Sequence, residues 1–229
     1  MNGLPLRRFG PADKVAPAGP GRTLGSPAPV ARVATVYLIR HPATAWTGVR
    51  YAGRTDVPLS PAGRRQAAAN AAELALRITG HVAIVSSPLI RALEAAQRIA
   101  EACRATLVVD PRWREVDFGA AEGATFDELA ASWPALAERL LRGERRIDWP
   151  SGEPWHELRA RVASAWSDLL DAPCDVGIVV SHGGPISVAL ELALGEAAPA
   201  AGAIVGPGEA LELAVDGRCQ LVRRWTTGR

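Results

Sequence analysis

Lysine is almost missing from this chain. Lys14 is the only one among 26 basic residues. The positive charge therefore sits on guanidinium groups, the better bidentate partners for phosphate oxygens. Net charge is also small, at +2, and gives no case for nucleic acid or an anionic membrane as a partner. The three cysteines, Cys103, Cys174 and Cys219, are odd in number and far apart. They fit reduced thiols better than a disulfide framework or a zinc knuckle. No apolar run is long enough to span a bilayer. These absences together predict a cytoplasmic protein without a membrane partner. Aromatic residues make up only 5%, yet seven of them are tryptophan. Most should pack in a core, with Trp46 and Trp155 the two expected near a pocket.

With 229 residues, the chain suits one globular domain that buries roughly 70–75% of its unfolded surface. Residues 1–32 are rich in Pro and Gly and lack the unbroken apolar stretch of a secretory signal. They read as a disordered leader, with a single domain over 33–229. From residue 33 the pattern changes. "VATVYLI", "VAIVSS", "ATLVVD" and "VGIVVS" read as short buried strands. "LSPAGRRQAAANAAELALRI", "PLIRALEAAQRIAEAC", "TFDELAASW", "EPWHELRARVASAWSDLLD" and "GPISVALELAL" read as helices. Ser60 caps the first, with Pro61 in its opening turn, and the second repeats the Ser-Pro start. Thr125 and Glu128 have capping-box spacing. "ALELAV", a "DGR" turn and "CQLVRRW" close the chain as a hairpin. Strands alternating with helices predict an α/β fold with a largely parallel sheet and helices on both faces.

In such sheets ligands sit outside the carboxyl ends of the strands. Arg40-His41 lies at the end of the first strand. Ser86-Ser87-Pro88 leads from the second into a first turn carrying Arg91. His182 ends the fourth, followed by Gly183-Gly184 and a helix start. Two arginines and two histidines thus share one edge with helix N-termini, a setting suited to an anion. Arg40 and Arg91 could clamp a phosphate, while a neutral His41 is a competent nucleophile. Nearby arginines should disfavour its protonation. The required acid would come from "RWREVDFGAAEG", which offers Glu115, Asp117 and Glu122. Glu115 comes first after the strand. His81 and His156 read as structural or exposed. "RGERR" (Arg142 to Arg146) reads as a solvated helix end, with attraction of an anionic substrate as its functional reading.

Five segments carry a resemblance, in order. "LIRHPATAW" is similar to a strand-end Arg-His-Gly signature, with Pro42 in the glycine slot. "YAGRTDVPLSPAGRRQA", "SSPLIRALEAA", "WREVDFGAAEG" and "SHGGPI" follow. Together they resemble the histidine phosphatase superfamily, also called phosphoglycerate mutase-like, from Val33 to Trp225. The resemblance implies that His41 becomes a phosphohistidine while Arg40, Arg91 and His182 hold the phosphoryl group. It makes Glu115 the proton donor and then the acceptor, and Gly183 a backbone N–H donor. Gly53, Arg54 and Thr55 would line the substrate side. Thr47 sits where many members carry a phosphate-binding asparagine. No metal or other cofactor is implied.

The short segment after Glu115 is similar to the small helical cap of the phosphatases, α-ribazole phosphatase among them, rather than the longer insertion of the mutases. The expectation is a metal-independent phosphatase acting on a small-molecule phosphate ester (α-ribazole phosphate, or a sugar or nucleotide phosphate), as a monomer or homodimer. A phosphoglycerate mutase-type phosphotransferase and a phospholigand-binding module without turnover are the alternatives. A dinucleotide-dependent dehydrogenase is disfavoured, because no G-x-G-x-x-G follows the first strand.

Overall fold

A computed structural model describes residues 33–195 and 205–226. The expected leader, 1–32, lies outside them. Six strands form one sheet: Thr35–Arg40 (β1), Val82–Ser86 (β2), Leu107–Val109 (β3), Val176–Ser181 (β4), Glu209–Asp216 (β5) and Arg218–Thr226 (β6). Their order is β3-β2-β4-β1-β5-β6. The first four are mutually parallel, while β5 and β6 run antiparallel at one edge. The closing hairpin turns at Gly217, whose φ of +64° suits glycine.

The helices are Pro61–Arg77 (α1), Ile90–Cys103 (α2), Phe126–Ser132 (α3), Pro134–Leu141 (α4), Trp155–Leu170 (α5) and Gly183–Leu194 (α6). Side-chain alternation along β1 divides the core. Tyr37 and Ile39 face a layer with Ala67, Ala71 and Leu74 of α1 and Ala92, Ala96 and Ile99 of α2. Val36 and Leu38 face the opposite layer, with Leu129, Leu136, Leu158, Val162 and Ile186 of α3 to α6. The small alanines of α1 and α2 let these helices pack closely. β4 is buried at every position because strands flank it and helices cover both faces.

Local expectations are met at Ser60, whose hydroxyl accepts the Gly63 N–H at 3.0 Å, and at Thr125 and Glu128, which form both bonds of the capping box. Three features differ. α2 starts at Ile90 rather than at the Ser-Pro step, because Leu89 is still extended at φ −66° and ψ 132°; the Ser87 hydroxyl accepts Leu89 N–H and also meets His182. β3 shrinks to three residues on an exposed edge, pairing with β2. A separate helix, α4, follows α3 where Pro134 restarts the chain.

Candidate active site

The parallel register brings the strand exits to one level. Arg40 is opposite Ser181 and Ser86 is opposite Val180. Arg40-His41, Ser87 and His182 therefore leave the sheet side by side. The His41 and His182 rings lie 5.1 Å apart, centroid to centroid. Both are buried, as are Arg91 and Glu115.

His41 Nδ1 lies 2.8 Å from the Pro42 carbonyl oxygen. A carbonyl only accepts, so Nδ1 carries the proton and Nε2 presents a lone pair. Pro42 has no N–H to offer, and what orients the ring is its main-chain carbonyl, which a glycine in that slot would also present. Ser87 Oγ accepts the Leu89 N–H and lies 2.7 Å from His182 Nε2. A hydroxyl hydrogen donated to Nε2 leaves the His182 proton on Nδ1. That Nδ1 has no partner among the described residues. Neither do the buried Nε atoms of Arg40 and Arg91. Three buried groups suited to donate therefore lack acceptors in the residues clustered about His41, an expensive arrangement unless an anion completes it.

Burial first, then the charges of Arg91 and Arg40, holds His41 well below the usual imidazole value of 6.5. Burial and Arg91, with smaller contributions from His41, Arg40 and Arg161, do the same to His182. Both rings stay neutral in the fold, while the unfolded chain protonates them. Their contribution to stability is complete above pH ~6.5 and is lost as pH falls from there toward the folded values. Urea unfolding in phosphate-free buffer should show lower stability at pH 5.5 than at pH 7.5, by on the order of 1 kcal/mol per imidazole. The difference should shrink when either ring is replaced by glutamine. Equal stability at the two pH values would contradict neutral burial.

Glu115 Oε1 accepts the N–H of Val116 and of Gly184, both at 3.0 Å. A Cβ on Gly184 would stand 2.6 Å from that oxygen, so glycine there is what lets the carboxylate dock on the start of α6. Oε2 lies on the Gly183 side, toward Arg40. Of the three candidate acids only Glu115 lines the cavity. Asp117 Oδ1 caps Gly119 N–H at 2.8 Å.

Glu122 is used differently. Its carboxylate accepts the N–H groups of Gly53, Arg54 and Thr55 at 2.9–3.2 Å. From the other side Arg91 donates to the carbonyls of Ala52, Gly53 and Thr55 at 2.8–3.0 Å. Gly53, Arg54 and Thr55 are held between these two side chains and, like Arg91 and His182, are not among the residues that line the cavity. Thr47 does line it, but its hydroxyl oxygen already accepts Thr44 N–H at 2.9 Å. Gly183 lines the cavity beside Glu115.

Arg161 holds the acid's backbone. It donates to the carbonyls of Arg112, Arg114 and Glu115 at 2.5, 2.8 and 3.2 Å and forks onto Glu153 at 2.6 and 2.9 Å. Sequence reasoning gave Arg161 no role. Glu153 lies eight residues earlier and outside α5, so no local spacing marks the pair, and only the fold reveals the three carbonyls.

The cavity holds about 450 Å³, opening on Arg40, His41, Thr47, Glu115 and Gly183. Trp46 and Trp155 both reach it, whereas His156 does not. Tyr51, Phe118 and Trp149 form an aromatic wall, with ring centroids 4.3–5.5 Å apart. Phe126, Leu140, Ile147 and Leu158 extend it toward the cap. His81 is exposed, with its ring near the Pro173 carbonyl. Among the described residues no helix is long and apolar enough to cross a membrane.

The family model of the histidine phosphatase superfamily (branch 1) matches residues 36–227. A Yersinia pestis protein named "Probable phosphoglycerate mutase" is 35% identical over 162 residues, 70% of this chain and 74% of that one. A mycobacterial glucosyl-3-phosphoglycerate phosphatase, solved with VO3, superposes with a TM-score of 0.74 at 27% identity, covering 86% of this chain and all of that one. A Thermus thermophilus structure superposes with a TM-score of 0.63 at 30% identity, over 84% and 99% of the two chains.

Proposed function

The chain belongs to the histidine phosphatase superfamily, and on that premise we propose that it is a metal-independent phosphomonoesterase working through phospho-His41. In the first step the His41 Nε2 lone pair attacks phosphorus. An N–P bond forms, the P–O bond to the leaving group breaks, and Glu115 gives its proton to the departing oxygen. In the second, Glu115 takes a proton from water, whose oxygen attacks phosphorus as the N–P bond breaks. Arg40 and Arg91 supply the positive charge that the nonbridging oxygens need, and neutral His182 offers its Nδ1–H. The observation that carries this reading is the set of three buried groups without a partner among the described residues, Arg40 Nε, Arg91 Nε and His182 Nδ1, around an imidazole whose Nδ1 is held by the Pro42 carbonyl.

The mutase reading has the name of the Yersinia relative in its favour. The short cap of α3 and α4, residues 126–141, favours water access and hence hydrolysis. One experiment separates the readings. The protein is mixed without metal with a panel of α-ribazole phosphate, phosphoglycerates and sugar and nucleotide phosphates, quenched, and analysed for phosphoprotein and free phosphate. An acid-labile, base-stable phosphoenzyme with net phosphate release is the expected result. Isomerised phosphoglycerate without phosphate release would make it a mutase. Tight phosphate binding without turnover on any ester would make it a binding module.

A further inference from the structure

The basic run Arg142, Arg145, Arg146 does not behave as one patch. Arg142 is neutralised by Glu144 at 3.0 Å, and Arg146 by Glu191 at 2.9 Å. Among the described residues Arg145 finds no ion-pair partner and no side-chain hydrogen bond, and its Nη2 is buried. It also lines the same cavity as His41. Glu144 lines that cavity too, but its carboxylate is committed to Arg139 and Arg142. The nearby Arg50 is occupied by the Gly123 carbonyl and Glu128. Arg145 is thus a cation with a buried, unpaired nitrogen on a largely aromatic and aliphatic wall. Burying such a group without a partner is unfavourable.

We propose that Arg145 is a specificity residue that takes a carboxylate on the leaving group of the substrate. The substrate class is then a phosphomonoester with an apolar or planar body and a remote carboxylate. The argument rests on the phosphomonoesterase reading of this pocket. Three observations converge on it. The cavity volume, about 450 Å³, falls in the range that holds a drug-sized ligand, well beyond one phosphate. The wall of Tyr51, Phe118 and Trp149 offers ring faces to a flat or apolar group. A single guanidinium fork matches the charge and geometry of a carboxylate, whereas a second phosphate dianion would call for more than one cation.

The test uses binding, so that it is independent of turnover. Dissociation constants are measured by calorimetry for phenylphosphonate and 4-carboxyphenylphosphonate, and for the biphenyl pair with the carboxylate one ring further out. In the wild-type protein the carboxylate should tighten binding about tenfold or more at one of the two spacings. That ratio should fall toward one in Arg145→Gln and survive in part in Arg145→Lys, which keeps the charge without the fork. A wild-type ratio near one at both spacings would overturn the proposal. So would an undiminished ratio in Arg145→Gln. If Arg145→Gln does not fold, the wild-type ratio and Arg145→Lys decide it, since an effect of fork geometry must weaken on changing to lysine. Phosphate release from phenyl phosphate is measured alongside. Turnover without a carboxylate effect leaves the phosphatase and removes the subsite. A carboxylate effect without turnover does the reverse.

Discussion

His41→Ala is expected to lower the rate of phosphate ester hydrolysis by at least about 10²–10³-fold, since single transition-state donors alone are worth that much and a nucleophile is worth no less. The fold should survive the change. Among the described residues the His41 ring makes one hydrogen bond, to its neighbour's carbonyl. The main-chain bonds of His41, its N–H to Ser181 O at 2.9 Å and its carbonyl to Gly208 N–H at 3.1 Å, stay in place. Arg40, Arg91 and His182 also remain, so inorganic phosphate should still bind. The expected signature is therefore specific: phosphate protection against unfolding persists, while the acid-labile phosphoenzyme vanishes together with turnover. A variant that hydrolyses esters at the wild-type rate would remove His41 from the chemistry.

The strand exits were legible because a strand of fixed direction and register leaves little freedom at its end. Once "VYLI" and "GIVVS" are parallel neighbours, Arg40 and His182 must emerge at the same level, as the Arg40–Ser181 pairing shows. Capping at Ser60 and Thr125 was legible for a similar reason, since its chemistry is complete within four residues. What escaped the sequence depends on contacts between distant segments. Glu122 reads as a spare acid, and nothing within "FGAAEG" shows that its oxygens will meet three N–H groups some seventy residues earlier in the chain. The division of "RGERR" is equally invisible, because Glu191, which neutralises Arg146, arrives from α6. Ser87 looked like a helix cap in a Ser-Pro step. Leu89 nevertheless stays extended, the helix begins at Ile90, and the hydroxyl of Ser87 reaches across to the second histidine, a partner that arrives from β4. The pattern has a common physical basis. Side chains that satisfy the backbone locally can be read from spacing, whereas those that satisfy the backbone of another segment cannot.

Arg91 joins both kinds of behaviour, and its removal should be costly for stability as well as chemistry. The side chain is fully buried at the start of α2. Its two terminal nitrogens carry three bonds to the carbonyls of Ala52, Gly53 and Thr55. Those same residues rely on Glu122 for their N–H groups. Arg91→Ala would leave the carbonyls of Ala52 and Gly53 without a donor among the described residues, would leave Thr55 O with only the Val57 N–H, and would remove a compensating charge from Glu122. The expected loss of unfolding free energy is about 3–5 kcal/mol, the range for breaking a buried charged network by removing one partner. Arg91→Lys should recover only part of it, because one ammonium cannot reproduce the planar fork. The Nε, without a partner among the described residues and with its charge felt by both histidines, makes a second demand. Where the lysine variant is folded, phosphate affinity and kcat should both drop, with kcat down by about 10²-fold or more if the guanidinium stabilises the transferring group. Urea unfolding and steady-state kinetics on the same preparations read the two effects separately. A lysine variant of wild-type stability that also keeps full turnover would show that neither the strap at 52–55 nor the phosphoryl group needs the fork.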